Sequence, residues 1–226
     1  MWMRCACSAL AVLAALAAPA LTVQPDASNQ VPRMVGQCER PAPRGSALEG
    51  CFWNASINLG PTAGHLYWHI DRYPDLAAAE AARTLYGRVT LSLGGQILLQ
   101  TVSDNPGWRP AGGEHLGTVG PLTVPSGIDV TARLMEATAS GRAVDEAHVH
   151  PGPEAFFLLD GSICLETQAG PATAEGGESM ILPARAPMQL ASSRDARTRA
   201  LLLVIHPTGE QWIDRQPSWT PTGGCY

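Results

Sequence analysis

Two histidines and a glutamate lie close together in the chain, at His148, His150 and Glu154. Residues two apart on an extended strand point to the same side, so we expect both imidazoles to face one way. A Pro-Gly-Pro turn at 151–153 then bends the chain before the carboxylate. Two imidazoles and one carboxylate on a concave face suit a divalent metal ion such as Mn, Fe, Zn or Ni. The alternative interpretation is a polar barrel mouth that holds no metal.

The spacing of these residues resembles the first motif of the cupin superfamily. That motif reads glycine, five residues, His-x-His, three or four residues, Glu, six residues, glycine. His148, His150, Glu154 and Gly161 fit it, and Gly141 lies one residue further upstream than the motif has its first glycine.

The stretch that begins at Gly177 and continues through Pro183 resembles the second cupin motif, and both of these residues match it. Three positions depart from the pattern. Arg185 stands where the motif has glycine, Met188 where it has the fourth metal ligand, and Ser192 where it has asparagine.

The resemblance covers about residues 128–206, and the chain is similar to exported bacterial single-domain cupins of the type-2-like class with methionine in place of the second-motif histidine. It implies a mainly β fold, a cupin jelly-roll β-barrel, here with a small N-terminal α+β extension. It also implies a metal site, with His148, His150 and Glu154 as ligands. It does not name a substrate.

Three further residues are predicted to line the substrate pocket: Met188, Arg185 and Phe156. Arg185 can hold a carboxylate through paired hydrogen bonds, whereas the alternative is a solvated turn residue. A thioether is a weak ligand for Mn, Fe or Zn but suits copper, so we interpret Met188 as apolar wall beside an incomplete site.

The chain divides by composition into five stretches. Residues 1–20 resemble a signal peptide with an Ala18-Pro19-Ala20 cleavage site, and their apolar run of about ten residues is short for a membrane-spanning helix. Residues 21–50 are predicted to form a linker or loop, 51–125 a small α+β unit, 126–207 the cupin barrel and 208–226 a C-terminal tail. The tail holds Trp212 and Trp219, which we expect to pack on the barrel or on a partner.

Alternating apolar residues between Gly and Pro signals predict many short strands. A helix is predicted after Asp75, and the stretch from Trp108 to Pro125 is predicted to be a Gly- and Pro-rich connection. The predicted strands are 51–59, 65–73, 88–93, 96–102, 129–137, 147–150, 155–159, 162–166, 179–182, 188–191 and 199–206.

Composition excludes several functions. The net charge is −5, and it becomes −6 (14 basic minus 20 acidic residues) without residues 1–20. The sequence contains no lysine, which argues against Schiff-base chemistry, and no basic cluster that could follow the phosphates of a nucleic acid. No GxSxG, phosphate-loop or GxGxxG motif supports a hydrolase, kinase or nucleotide-dependent dehydrogenase.

Four cysteines follow the predicted signal peptide: Cys38, Cys51, Cys164 and Cys225. An even count in an exported chain suggests disulfide bonds. We predict a Cys38–Cys51 bond, with free or differently paired thiols as the alternative. Cys164, in a predicted barrel strand, is interpreted by default as a buried, inert thiol.

Three other histidines are candidate ligands by residue type: His65, His69 and His206. His65 and His69 lie about 13 Å apart on an extended strand, too far to share one metal ion, and are interpreted as structural. His206, at the end of the last predicted strand, can supply a replacement imidazole but is interpreted as a strand-end residue.

Two functions follow. The first is a periplasmic or secreted metal-dependent enzyme that oxygenates or isomerises a small organic acid or aromatic. The second is a non-catalytic cupin that binds or senses a small ligand with an incomplete metal site. Both imply a small-molecule partner, no nucleic acid and no stable membrane insertion, and both are compatible with a homodimer.

Overall fold

The computed structural model describes residues 38–42, 49–62, 64–193 and 196–225. The predicted signal peptide, 1–20, and most of the predicted linker lie outside the described residues. Within those described residues, no helix has the length and apolar character needed to cross a membrane.

Twelve named strands and one helix make up the secondary structure of the described residues. They are β1 (Gly50–Pro61), β2 (His65–Tyr73), α1 (Leu76–Ala82), β3 (Gly87–Leu91), β4 (Ile97–Ser103), β5 (Glu114–Thr123), β6 (Asp129–Ser140), β7 (Glu154–Asp160), β8 (Ser162–Thr167), β9 (Gly170–Glu175), β10 (Ser179–Leu182), β11 (Met188–Ser192) and β12 (Arg197–Pro207).

The second half of the chain, together with β1, forms a jelly roll of two facing sheets. One sheet has the order β1-β6-β12-β7-β10 and the other β11-β8-β9. The stretch 144–149 joins the second sheet through bridges from Val144 and His148 to β11. Apart from the β8–β9 hairpin, successive strands from β6 onward therefore alternate between the two sheets, and β6 pairs with β12, which is the arrangement of a jelly roll. The predicted jelly-roll β-barrel is confirmed.

Strand β12 shows why this sheet is apolar on both faces. Alternate side chains of a strand point to opposite faces. Leu202 and Val204 belong to the barrel core, whereas Leu201, Leu203 and Ile205 pack in a second core on the outer face. A strand buried on both sides has a continuous apolar run instead of an alternating pattern.

The second core is closed by an N-terminal sheet of order β3-β4-β2-β5. Trp68 and Ile70 of β2 pack there with β12 and β7. In addition, β1 pairs along β6 in the barrel sheet. This second core therefore contains residues from both sides of residue 125, the predicted end of the α+β unit.

Two strand predictions were incomplete. Residues 114–123 form β5 and pair with β2, so the prediction of a connection at 108–125 was wrong over that range. The Gly and Pro residues that suggested a connection lie within an edge strand, where proline is tolerated. Strand β9 was not predicted, since Gly170–Glu175 lacks a run of β-branched or aromatic residues.

The helix begins as predicted, because the Asp75 side chain accepts a hydrogen bond of 2.8 Å from the Ala78 amide and caps the first turn. The helix is only seven residues long and packs against the N-terminal sheet through Ala79.

Both cysteine pairs are disulfide-bonded. The Cys38–Cys51 bond is confirmed. The default interpretation of Cys164 as an inert thiol was wrong, because Cys164 is bonded to Cys225, 61 residues away. The even count of cysteines was the signal, and the pairing depends on the path of the C-terminal tail over the barrel.

Candidate metal centre

The three predicted ligands meet inside the barrel. One donor atom from each of His148, His150 and Glu154 lies within 4.8 Å of the others, and the residues are only 3%, 4% and 3% exposed. Among the described residues this is the one such group of three histidine, cysteine or acidic side chains. Glu154 shares the strand parity of Phe156 and Leu158, whose side chains fill the barrel core, so its carboxylate points inward.

The turn between the histidines and the glutamate depends on Gly152. A Cβ atom at this position would lie 1.8 Å from the main-chain oxygen of Ile205 on β12. Only glycine permits that approach, which brings the start of β7 beside the 148–150 stretch.

The imidazole of His150 is oriented by the C-terminal tail. Its Nδ1 lies 2.7 Å from the carbonyl oxygen of Trp212. A carbonyl can only accept, so Nδ1 carries the proton and Nε2 keeps its lone pair. The Nε2 atom of His150 lies 3.4 Å from Oε2 of Glu154. Two donor atoms bound to the same metal ion are about 3 Å apart or slightly more, so this distance fits a shared ion.

His148 is oriented in the same way. Its Nδ1 lies 2.7 Å from the carbonyl oxygen of Glu146 and 3.6 Å from Oδ2 of Asp145. The Nε2 lone pair is therefore available. Histidine ligands of metal ions typically donate their other ring N–H to such a carbonyl or carboxylate.

Glu154 fits a cation for a further reason. Its Oε2 atom is buried and has no hydrogen-bond partner among the described residues. Burial, followed by the charge of Asp145, raises the pKa of Glu154 well above its ordinary value. Burial, followed by His148, lowers the pKa of His150 to about 3, so the imidazole is neutral at physiological pH. A buried carboxylate calls for a paired or coordinated cation, and the residues present fit a metal ion.

The structure separates the three predicted pocket residues. Met188 and Phe156 are buried in the wall of the cavity that contains the histidines. Met188 exchanges two main-chain hydrogen bonds with His148, of 3.0 and 2.9 Å, so the two side chains are neighbours across the strands. Arg185 is exposed and lines a separate surface cleft that His150 also borders.

The cavity around the histidines is small, with a volume of about 10 Å³. That volume is enough for an ion or one water molecule and not for an organic substrate. The Trp212 ring stacks on His150 at a centroid distance of 5.3 Å, with 19° between the rings. The guanidinium of Arg133 lies 4.4 Å from the centroid of the same indole.

Trp212 belongs to what we call the C-terminal strap, residues 208–225. The strap is held by main-chain hydrogen bonds between Val149 and Asp214, both 2.9 Å. Near its end Thr222 donates to Glu166 from its amide and from its hydroxyl. The Cys164–Cys225 disulfide fixes its last described residue to β8. The expectation that Trp212 packs back on the barrel is confirmed; its role in orienting His150 had no signal in the sequence.

The remaining histidines lie outside the group of three. His65 is exposed, whereas His69 is buried between Thr118 and Ser103, with ring nitrogens 3.1 and 3.0 Å from their hydroxyls. His206 is half-buried, with Nδ1 3.0 Å from the Pro207 carbonyl oxygen. His115 has its Nδ1 2.9 Å from Oδ1 of Asp71. His65, His69 and His206 keep the structural interpretation.

No protein-family model matches the chain, and no curated protein matches it. Solved structures similar in fold include the DMSP lyase DddQ from Ruegeria pomeroyi, with 19% identity over 39% of this chain and 45% of that one (TM-score 0.34). The polyketide cyclase RemF from Streptomyces resistomycificus has 19% identity over 45% and 70% of the two chains (TM-score 0.34). A cupin-like protein from Thermotoga maritima has 13% identity over 39% and 67% (TM-score 0.33). The matched region spans less than half of the lyase, and these similarities concern the fold alone.

Proposed function

We propose that this cupin-type barrel binds one divalent metal ion through His148, His150 and Glu154 and acts on a small organic molecule. One observation carries the proposal. The three donors meet in a buried cavity, each histidine has its Nδ1 proton held by a main-chain carbonyl, and the glutamate oxygen has no other partner there.

A bound ion would supply Lewis acidity, lower the pKa of a bound water or, if it is iron, activate dioxygen. The chain's own residues set the conditions for this chemistry. The carbonyls of Glu146 and Trp212 fix the two imidazoles in one tautomer. Phe156 and Met188 exclude bulk water from the carboxylate.

Turnover requires the strap to move. In the arrangement described above, the Trp212 ring covers His150 and the cavity has no room for a substrate. Displacing the strap around Trp212 would open the metal site to a small organic acid or aromatic, as an oxygenase- or isomerase-like reaction requires.

The second candidate is a non-catalytic binding or sensing cupin. The closed cavity favours it, since catalytic metal sites keep an open coordination position and structural ones do not. Met188 at the position of the fourth ligand also favours it, because a thioether binds Mn, Fe or Zn weakly.

Export to an oxidising compartment is part of the proposal. Its support is the two disulfide bonds, which persist in the periplasm or outside the cell. N-terminal sequencing of the exported protein tests it, and we expect the mature chain to start near Leu21.

Calorimetric titration of chelator-treated protein with Mn, Fe(II), Zn and Ni tests metal binding. We expect one ion per chain for the wild type and loss of most of the affinity for His150→Ala. The matched control is His65→Ala, which removes an exposed imidazole outside the site and leaves the affinity unchanged. Equal binding by wild type and His150→Ala would rule out this site.

Water proton relaxation of the Mn-loaded protein separates the two candidates. Rapidly exchanging water on the ion indicates an open coordination position and favours the enzyme. Relaxation at the level of a fully enclosed ion favours the binding protein.

A further inference from the structure

Beside the metal centre lies a cleft of about 520 Å³ that the proposed metal chemistry does not use. It runs between the Pro183–Pro187 turn and the C-terminal strap, and His150 and Ile213 border both this cleft and the metal cavity. The volume lies within the range of sites for small ligands.

The guanidinium of Arg185 in this cleft is available to bind an anion. Arg185 is exposed, and among the described residues its guanidinium has no ion pair or hydrogen bond. The only acid lining the cleft is Asp214, whose Oδ1 already accepts a hydrogen bond of 2.9 Å from the Gln216 amide. A guanidinium in this setting suits a carboxylate through paired hydrogen bonds.

The backbone of Arg185 is unusual. Its φ angle is +64°, in the left-handed region that favours glycine. The Arg185 amide is held there by a hydrogen bond of 2.9 Å to the carbonyl oxygen of His150. A residue with a Cβ in this conformation costs stability, and such residues cluster at ligand sites.

The rest of the lining contains several side chains that can form hydrogen bonds with the hydroxyl groups of a ligand. Three amide side chains come from separate segments, Gln168 before β9 and Gln211 and Gln216 from the strap. A primary amide both donates and accepts, which matches the hydroxyl group. The half-buried indole of Trp219 adds an apolar face for a ring.

A second cleft, of about 680 Å³, lies across the strap and is a poorer anion site. It contains Arg142 and Arg215, but also Asp145 and Glu146. Both arginines already take part in other interactions, Arg215 with Glu39 at 3.2 Å.

We propose that the Arg185 cleft binds a small ring-shaped polyhydroxylated carboxylic acid, with the carboxylate on Arg185, hydroxyls on the glutamine amides and the ring face on Trp219. This inference rests on the proposed small-molecule function but not on the metal ion.

The test is calorimetric titration of the full mature chain with D-glucuronate, with D-glucose and cyclohexanecarboxylate as probes that lack the charge or the hydroxyls. We expect glucuronate to bind and both other probes to bind at least about tenfold more weakly. Arg185→Gln should lose about tenfold or more in glucuronate affinity. The matched control is Arg83→Gln, which removes an exposed arginine that follows α1 and pairs with Glu80. This control should leave the glucuronate affinity unchanged.

Arg185→Gly provides an independent readout. Glycine suits φ +64°, so we expect the melting temperature to rise by about 2–4 °C while glucuronate binding is lost. This combination separates a ligand site from a structural turn.

Absence of glucuronate binding to the wild type, equal affinity for glucose, or unchanged affinity in Arg185→Gln would overturn the proposal. The titrations are run on chelator-treated and on metal-loaded protein. Glucuronate binding that persists without metal supports the cleft even if the metal titration fails, so the two failures are distinguishable.

Discussion

The Nδ1 atom of His150 donates a hydrogen bond of 2.7 Å to the carbonyl oxygen of Trp212, 62 residues further along the chain. The barrel therefore does not complete the proposed metal centre on its own. Trp212, a residue of the C-terminal strap, fixes the tautomer of His150, one of the proposed ligands, and covers it with its indole ring. Anything that releases the strap should change how the centre holds an ion.

The strap is tied to the barrel by Cys164–Cys225, so we predict that Cys164→Ser/Cys225→Ser weakens both stability and metal affinity. A bond that closes a loop of 61 residues contributes about 4 kcal/mol by loop entropy. Urea unfolding measures the stability loss and metal titration the affinity loss.

A control comes from Ser126→Ala, which removes a hydroxyl from an exposed turn before β6 and leaves the disulfide in place. If the double-serine variant is destabilised but binds metal as tightly as the wild type and this control, the strap does not support the centre.

We predict that Met188 is a wall of the site and not a ligand. Met188→Leu keeps the apolar volume, so affinity for Mn, Fe(II) or Zn should change by less than about threefold. Met188→His places an imidazole next to His148 and should tighten binding by about tenfold, because it adds a better donor for these ions.

Calorimetric titration of both Met188 variants beside His150→Ala gives the comparison. Loss of binding in Met188→Leu with retention in His150→Ala would place the site elsewhere. Binding of Cu(I) alone by the wild type would make Met188 a ligand.

Local spacing was enough to predict that His148, His150 and Glu154 come together, and to predict the barrel. His148 and His150 share a face because they are two residues apart, even though 144–149 pairs with its neighbours only through isolated bridges. The apolar run of β12 and the Gly and Pro turns indicated many short strands. These signals lie within a few residues of one another, so they can be read from the sequence.

Features that depend on distant parts of the chain could not be predicted. The roles of Trp212 and Cys225 follow from the path of the strap, and four cysteines permit several pairings. The left-handed backbone of Arg185 is imposed by its hydrogen bond to His150, since arginine itself disfavours it. Edge strand β5 was obscured by its own Gly and Pro residues.

The effects on stability of replacing the buried Glu136 and the partly buried Arg199 should be strongly coupled. Their closest atoms are 3.5 Å apart, and Oε2 of Glu136 accepts a hydrogen bond of 2.9 Å from the Leu93 amide. Burial raises the pKa of Glu136, so its ionisation at neutral pH weakens the fold. Arg199→Leu leaves this charge uncompensated and should cost about 3 kcal/mol.

Glu136→Gln keeps an acceptor for Leu93 without the charge, so its stability should stay within about 1 kcal/mol of the wild type at neutral pH. The double variant Glu136→Gln/Arg199→Leu should recover much of the loss of Arg199→Leu in urea unfolding. Strict additivity of the two single changes would show that the groups do not interact.

His69 should make stability depend on pH. Burial, followed by the charges of Arg109 and His115, lowers the pKa of His69 to about 4 from an ordinary 6.5. The unfolded chain thus binds more protons between these two values, and stability falls as the pH drops from about 6.5 toward 4. Burial raises the pKa of the neighbouring Asp71, which acts in the opposite direction.

Comparison with His69→Gln isolates the contribution of the imidazole. Between about pH 7 and about pH 5, the urea midpoint of the wild type should fall more than that of the variant. Parallel pH profiles for the two proteins would mean that His69 does not titrate differently in the folded and unfolded states.

X-ray absorption spectroscopy of the metal-loaded protein tests the central claim most directly, because it identifies the donor atoms around the ion. We predict two imidazole nitrogens and oxygen donors, including a carboxylate, at about 2.0–2.2 Å from a bound Zn ion. The spectrum of His150→Ala, loaded at the same metal concentration, should show one imidazole fewer or a hydrated ion. A sulfur donor at about 2.3 Å, or a first shell without histidine, would contradict the assignment of His148, His150 and Glu154 as the ligands.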